Sequence, residues 1–389
     1  MNASNGFLRW AALAIAIITA FLASWIIIPA PTYFLLTFGV GAREVSAWLV
    51  LTSLLGIALA LPGHRVSRVA RLAMVLSLAS LLVSLWPFAE APRTIRRFDG
   101  EMSKLSSPPA IPLRSKPIVV ADLFRGVHGG EFRATKHLAL GAPGGKALTV
   151  DVYQPPQDGH YPIIVQIYGG AWQRGDPSSN SDFARWIASA GYVVFAIDYR
   201  HAPTWRWPAQ IDDVDSALVW VREHATQYGG DTSRVVLIGR SAGAHLALMA
   251  AYGVAPPVSL RGVIGYYAPS NLVDAYKNPP HPDPLDVRSD EIALLGGTLE
   301  QMPARYEQAS PLWKVRPGLP PTLLINGAAD HVVEAKYGME LATRLRSARV
   351  DAAYLEIPWA EHAFDAVFQG PSSQLALYYT ERFIAHVTR

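Results

Sequence analysis

Val235-Val236-Leu237-Ile238-Gly239-Arg240-Ser241-Ala242-Gly243-Ala244-His245-Leu246-Ala247-Leu248 is the stretch on which the reading of this chain turns. Four apolar β-formers run into a Gly-x-Ser-x-Gly turn, and a segment of helical composition follows at once. Strand, sharp turn and helix is the context in which such a serine sits on strained backbone, its hydroxyl exposed above a sheet. The glycines let strand and helix approach closely. The N–H of Ala242, at the helix start, is placed to face developing negative charge. The motif alone is short and carries little weight. A serine hydroxyl is a poor nucleophile without a base, and the base needs an acid to orient it.

Outward from this turn, the chain beyond about residue 120 alternates short β-rich runs with helical stretches. Candidate strands cover 133–140, 148–153, 163–168, 193–198, 235–239, 263–267, 322–326 and 353–357. Helical patterns cover 183–190, 209–227, 244–252, 333–347 and 375–386. Two early strands with no helix between them, then strand–helix alternation, predict an α/β fold. Its sheet is mostly parallel and eight-stranded, flanked by helices, with an antiparallel start. Sites in such sheets collect at the carboxyl ends of strands. Asp330 follows the seventh run and His362 follows the eighth, so serine, acid and histidine come in the order this architecture uses. His331 and Glu361 are neighbouring alternatives. Asp330 is preferred because Gly327 frees the turn that aims it, and Asp365 is too close in sequence to His362. The third strand ends in Tyr168-Gly169-Gly170-Ala171-Trp172. Glycine backbone curves toward a ligand without obstruction, so Gly169 and Gly170, with Ala242, are the expected donors to an oxyanion.

Tyr168, Trp172, Trp205 and Trp207 are candidate substrate-pocket residues. Asp198 and Arg200 are expected to hold the loop architecture by buried ion pairing, and His245 to serve as a structural hydrogen-bond donor. Asp212, Asp213 and Asp215 lie in a helical pattern without partner histidines, so no metal site is expected. The segment 268–313, between two strands, is the expected cap.

The first ninety residues are of another kind. The chain has 389 residues, 50% hydrophobic and only 17% charged, and the apolar excess is concentrated here. Spans are expected near 7–28, 45–61 and 70–88, with 33–40 an apolar stretch cut off from the second by Arg43 and Glu44. About three transmembrane helices therefore precede the strand–helix part, and 90–119, holding Pro92, Pro108, Pro109, Pro112 and Pro117, reads as an extended linker up to a domain at 120–389 that carries the candidate catalytic residues. The net charge of +3 comes with no basic helix, which argues against nucleic acid. The absence of cysteine excludes disulfides and thiolate chemistry. Arg9, Arg65, Arg68 and Arg71 fall on one side of three spans, and Arg43, Arg93, Arg96 and Arg97 on the other. The tight cluster in the short loop breaks this tie and predicts a cytoplasmic amino terminus, with the catalytic domain outside the cytoplasm, at the plasma or inner membrane.

These motifs together resemble the α/β-hydrolase superfamily, specifically the carboxylesterase branch of hormone-sensitive-lipase type and related bacterial acyl esterases. The resemblance runs from about Leu138 to the C-terminus. It rests on Tyr168-Gly169-Gly170-Ala171-Trp172, Asp198-Tyr199-Arg200 with Ala202-Pro203, the turn Gly239–Gly243, Ala309-Ser310-Pro311-Leu312, and Pro320 to Ile325. That family usually opens its glycine motif with histidine and often has a third glycine, where this chain has Tyr168 and Ala171. The resemblance implies an esterase with Ser241 as nucleophile, His362 as base and Asp330 as its orienting acid. It requires no cofactor and acts on a small-molecule or lipid ester, with membrane lipids around the N-terminal helices. An amidase such as a formamidase would use the same machinery. An idle membrane scaffold is the alternative from another class.

Overall fold

The computed structural model of the chain describes residues 3–105 and 114–389. Ser106, Ser107, Pro108, Pro109 and Pro112 of the expected linker lie outside the described residues.

The N-terminal region holds α1 (Ala3–Ser24), α2 (Tyr33–Glu44), α3 (Ser46–Ala60) and α4 (Arg68–Met102). Helices α1 and α4, and α3 with the turn that continues it to Gly63, are each long and apolar enough to cross a membrane. Small residues bring them together: a β-carbon on Gly56 of α3 would collide with Ser77 of α4, and Thr19 Oγ1 donates to Thr52 Oγ1 at 3.1 Å. Outward, Ile17, Phe21, Leu51, Leu55, Val75 and Leu82 are exposed, as lipid-facing side chains are.

The stretch 33–40, expected to stand apart from the second span, lies in a separate helix packed against the C-terminal part of the chain. Thr32 caps it by accepting from the Leu35 N–H, and Arg43 and Glu44 at its end are both buried. The linker departs from the expectation. Helix α4 does not stop near residue 88 but continues unbroken to Met102, with Pro87 and Pro92 inside it. Ala91, Thr94, Phe98 and Met102 are buried at helical spacing, and this stripe outweighs the proline cost. Phe98 meets Tyr379 edge-on at 5.2 Å, and Tyr379 Oη donates to Asp99 at 3.0 Å. Fully burying such a phenylalanine stabilises by about 1.5–3 kcal/mol.

Beyond the N-terminal region come α5 (Asp122–Arg125) and eight strands: β1 (Arg133–Gly141), β2 (Leu148–Gln154), β3 (Tyr161–Ile167), β4 (Val193–Ile197), β5 (Gly230–Arg240), β6 (Leu260–Tyr266), β7 (Thr322–Gly327) and β8 (Ala352–Ile357). They form one sheet in the order β1-β2-β4-β3-β5-β6-β7-β8. The pairs β1–β2 and β2–β4 are antiparallel and all others parallel, as the early uninterrupted strand pair implied. Helices α6 (Ser181–Ser189), α7 (Ala209–His224), α8 (Ala242–Ala251), α12 (Ala335–Ser347) and α13 (Pro371–Val387) flank it. The short helices α9 (Leu272–Lys277), α10 (Val287–Leu295) and α11 (Pro303–Gln308) occupy the segment between β6 and β7.

Strand alternation sorts the core. Ile163, Val165 and Ile167 point into one apolar layer with α7, α8 and α12. Ile164 points into the other, with α6, α13 and the far half of α4. Central strands buried on both faces read as unbroken apolar runs, which is why β4 and β5 were legible as strands by length and flanking turns. This is an α/β-hydrolase fold preceded by three membrane-type helices, and it sets the carboxyl ends of β3, β5, β7 and β8 along one edge of the sheet, with β6 between β5 and β7.

Candidate active site

Arg240 ends β5 and Ala242 begins α8, so the whole turn is one residue, Ser241, at φ 53° and ψ −122°. Such backbone is strained for any side chain. It persists because the surroundings leave no room to relax: a β-carbon on Gly239 would lie 2.1 Å from the Gly243 carbonyl oxygen, and one on Gly243 2.3 Å from those of Ile167 and Tyr168. The Ser241 N–H donates to Tyr266 O at 3.0 Å, and its carbonyl accepts the first helical bond, from His245 N at 3.0 Å.

The loop after β8 brings His362 over this serine. Its Nε2 is 3.0 Å from Ser241 Oγ, and its Nδ1 is 2.8 Å from Asp330 Oδ2. Asp330 is fixed in turn: Oδ1 accepts from the N–H groups of Val332 at 2.8 Å and Val333 at 2.7 Å. Burial pushes the Asp330 carboxyl up, against the opposing pull of His362. Tyr267 packs its ring against the imidazole at 4.6 Å. An imidazole held between a carboxylate and a hydroxyl is arranged to move a proton off that hydroxyl.

Gly169 and Gly170 follow β3 after Tyr168 and both line the cavity at Ser241. A β-carbon on Gly169 would stand 2.7 Å from the Arg240 carbonyl and 3.1 Å from Ser241 Cβ, so this backbone lies against the turn. Gly170, Ala171 and Trp172 all have positive φ. Ala242 lines a second space on the other side of the serine.

Two cavities meet at Ser241. One, of about 420 Å³, lies between the serine and helix α2. The other, of about 50 Å³, lies toward α9, α10 and Val332-Val333. Of the four aromatic pocket candidates, only Trp172 lines either, the smaller. Tyr168 instead turns into the core: its hydroxyl bonds Asp198 at 2.5 Å and His201 Nε2 at 2.8 Å, and its ring stacks on Tyr199 at 4.5 Å. Trp205 reaches toward Gly144, and Trp207 packs against His245 at 5.6 Å.

The part of the chain that carries this site belongs to a known family. A family model, BD-FAE, matches residues 150–345, just over half of the chain. The chain is a member of the BD-FAE family. It is 30% identical over 261 residues to LipM of Mycobacterium tuberculosis, named as a probable carboxylic ester hydrolase, covering 62% of this chain and 59% of that protein. It is 32% identical over 218 residues to esterase LipC of the same organism, covering 52% and 53%. The chain thus spans less than two thirds of these curated relatives. Among solved structures, it resembles a bacterial heroin esterase with TM-score 0.57 and 25% identity over 67% of this chain and 84% of that one. It also resembles the fold of a Pyrobaculum calidifontis esterase, with TM-score 0.58 and 22% identity over 65% and 85%. The BD-FAE match, 150–345, contains Ser241 and Asp330 but ends before His362.

The remaining expected roles sort as follows in this BD-FAE member. Arg200 pairs with Asp213, at 2.8 Å, and not with Asp198, which instead accepts from Tyr168. His245 does serve as a structural donor. Its Nε2 bonds the Ala309 carbonyl at 2.6 Å while Nδ1 accepts from Trp172 Nε1, and burial lowers its pKa to about 4, so it is neutral. Asp365 is engaged by Arg240 at 2.5 Å and by the Tyr267 hydroxyl, not by His362.

Glu361, set aside from sequence as a neighbour of His362, is a hub. Its Oε1 accepts from His331 N at 2.7 Å and His362 N at 3.0 Å, and its Oε2 from His331 Nδ1 at 2.8 Å. Arg43 of α2 lies 3.7 Å from Oε2, both side chains buried. Burial works to raise the Glu361 carboxyl, but the His331 bond and the Arg43 charge outweigh it and hold it below its usual value. His331 is raised by the same bond. Arg43 also donates to the carbonyls of Trp25 at 2.9 Å and Gly39 at 2.6 Å. The sequence signal was the charged pair Arg43-Glu44 breaking an apolar stretch.

Proposed function

We propose that this protein is a membrane-anchored serine hydrolase that cleaves carboxylic esters through an acyl-enzyme. What carries the reading is the hydrogen-bonded line from Asp330 through His362 to Ser241 Oγ, at 2.8 and 3.0 Å, on a strained strand–helix turn. Ser241 attacks the ester carbonyl while His362 Nε2 takes its proton. The resulting imidazolium is stabilised by Asp330, which also holds the tautomer. The tetrahedral oxyanion is received by backbone N–H groups of Gly169, Gly170 and Ala242. His362 then protonates the leaving alcohol, and the same base activates water to release the acid.

The kinship with bacterial esterases supports ester over amide hydrolysis, and the sheet order and the motif set support a place beside the carboxylesterases of hormone-sensitive-lipase type. Residues 268–313 act as the cap, since α9 and α10 wall the smaller cavity. The N-terminal helices anchor the enzyme, with the catalytic part on the non-cytoplasmic side. Labelling of the full chain by a fluorophosphonate probe, and its loss in Ser241→Ala, tests the nucleophile. Comparison of p-nitrophenyl butyrate with an N-formyl amide tests the bond cleaved; faster turnover of the amide would replace the esterase reading with the amidase one.

A further inference from the structure

The larger cavity at Ser241 has a wall that the catalytic domain does not supply. Tyr33, Leu36 and Val40 of α2 face Leu285, Ala366 and Val367 across it. Helix α2 is the connection between the first and second membrane-type helices, so this wall belongs to the membrane region. It is tied in place at both ends. Arg174 of the glycine loop lies over the Tyr33 ring at 5.1 Å, and Glu44 accepts from Ser372 N at 3.0 Å. The wall is therefore a fixed part of the site.

We infer that the space between α2 and Ser241 holds the acyl chain of a lipid ester drawn from the bilayer. This rests on the esterase reading above and adds its substrate class. Size decides which group goes where. A space of about 50 Å³ takes only a few atoms, at the ~10–15 Å³ that one water-sized atom requires. The space of about 420 Å³ is within the range of ligand pockets, ~300–1,000 Å³. A long chain fits only on the α2 side.

Position decides where the chain comes from. Ile27 and Ile28, just past the end of α1, and Phe34, next to Tyr33, are half or more exposed. They carry the apolar surface of the spans up to the cavity wall. An ester in the adjoining leaflet reaches Ser241 along this surface without passing through water.

The test uses the full chain in phospholipid vesicles and p-nitrophenyl esters from acetate to palmitate. The native protein should prefer dodecanoate over acetate. Leu36→Trp, which fills the cavity, should lower the dodecanoate-to-acetate ratio of kcat/KM at least tenfold, the scale on which losing a few methylene contacts discriminates. Val40→Ala, which enlarges it, should move the optimum to longer chains. Fluorophosphonate labelling of each variant reports that the site is folded. A diacylglycerol should be hydrolysed when it shares the enzyme's vesicles and not when it is supplied in separate ones. A native profile that falls steadily from acetate, a ratio unmoved in labelled Leu36→Trp and Val40→Ala, or equal rates from separate vesicles would overturn the proposal and leave the esterase reading standing. Absence of fluorophosphonate labelling in the native protein would instead overturn the esterase reading itself.

Discussion

Replacing Asp330 by asparagine separates an orienting acid from a mere neighbour of His362, because the structure dictates how the new amide must turn. Asp330 Oδ1 accepts two backbone N–H groups, from Val332 and Val333 at 2.8 and 2.7 Å. An amide NH2 cannot accept, so the asparagine oxygen keeps that place and the NH2 faces His362 Nδ1 across the present 2.8 Å. Nδ1 must then be the acceptor, and the ring proton moves to Nε2. At 3.0 Å from Ser241 Oγ, Nε2 becomes a donor to the hydroxyl it should deprotonate. The fold is kept and the base is lost. The expected cost is ~10⁴-fold in kcat, or about 5.5 kcal/mol of barrier. The assay is kcat on p-nitrophenyl butyrate with the full chain in vesicles, beside a thermal melt. Asp365→Asn is the control. It leaves the His362 bonds intact but strips Arg240 of a buried partner, so its damage should appear in the melt. Turnover of Asp330→Asn within tenfold of the native protein, with Asp365→Asn the more impaired, would refute the assignment.

Ser241→Ala should abolish fluorophosphonate labelling and lower kcat by ~10⁴–10⁶-fold with an unchanged melting temperature; residual acyl-enzyme in a mass spectrum would contradict it. Arg43→Met should destabilise by about 3 kcal/mol, and adding Glu361→Gln should recover part of that loss, because breaking one side of a buried pair costs more than removing both. Strict additivity in this double-mutant cycle would show the pair to be uncoupled. Glu44 is pushed by burial up to about 8. A carboxyl that holds its proton more tightly folded than unfolded contributes most below its unfolded value near 4.5, and that contribution is lost as pH rises through about 8. The melting temperature should therefore fall between pH 5 and 9, and Glu44→Gln should flatten the slope; a native protein flat over that range would rule this out. Single cysteines at Val66 and Ser103, both exposed and in a chain without native cysteine, should differ toward a membrane-impermeant maleimide on intact cells, with Ser103→Cys labelled. Labelling of Val66→Cys alone would invert the orientation.

The sheet was legible because its strands are short apolar runs closed by glycine-containing turns, and because parallel topology puts loop residues at one edge. Gly239–Gly243, Gly169-Gly170, Asp330 and His362 stand out in the sequence for that reason. What the sequence concealed lies where one segment is read against a distant partner. Pro87 and Pro92 are strong local breakers, but the buried stripe Ala91, Thr94, Phe98 and Met102 exists only against α13 and β8, so propensity pointed to a linker. Tyr168 stands at the end of β3 beside the glycines and reads as a pocket residue. Only the chain fold shows its hydroxyl turned to Asp198. Glu361 reads as a rival of Asp330 until α2 brings Arg43 to it.

These contacts change where the folded unit around Ser241 begins. A boundary at residue 120 would remove Phe98 from the core, Arg43 from Glu361 and Leu36 from the substrate space. Glu361 would then lose both the Arg43 charge and the cover of α2, on the loop whose backbone it holds at His331 and His362. Helix α4 runs from the membrane-type bundle straight into the hydrophobic layer against β8, and α2 returns from the bundle to close the site. The membrane-type region therefore grips the sheet at two places, at β8 through α4 and at the Ser241 cavity through α2.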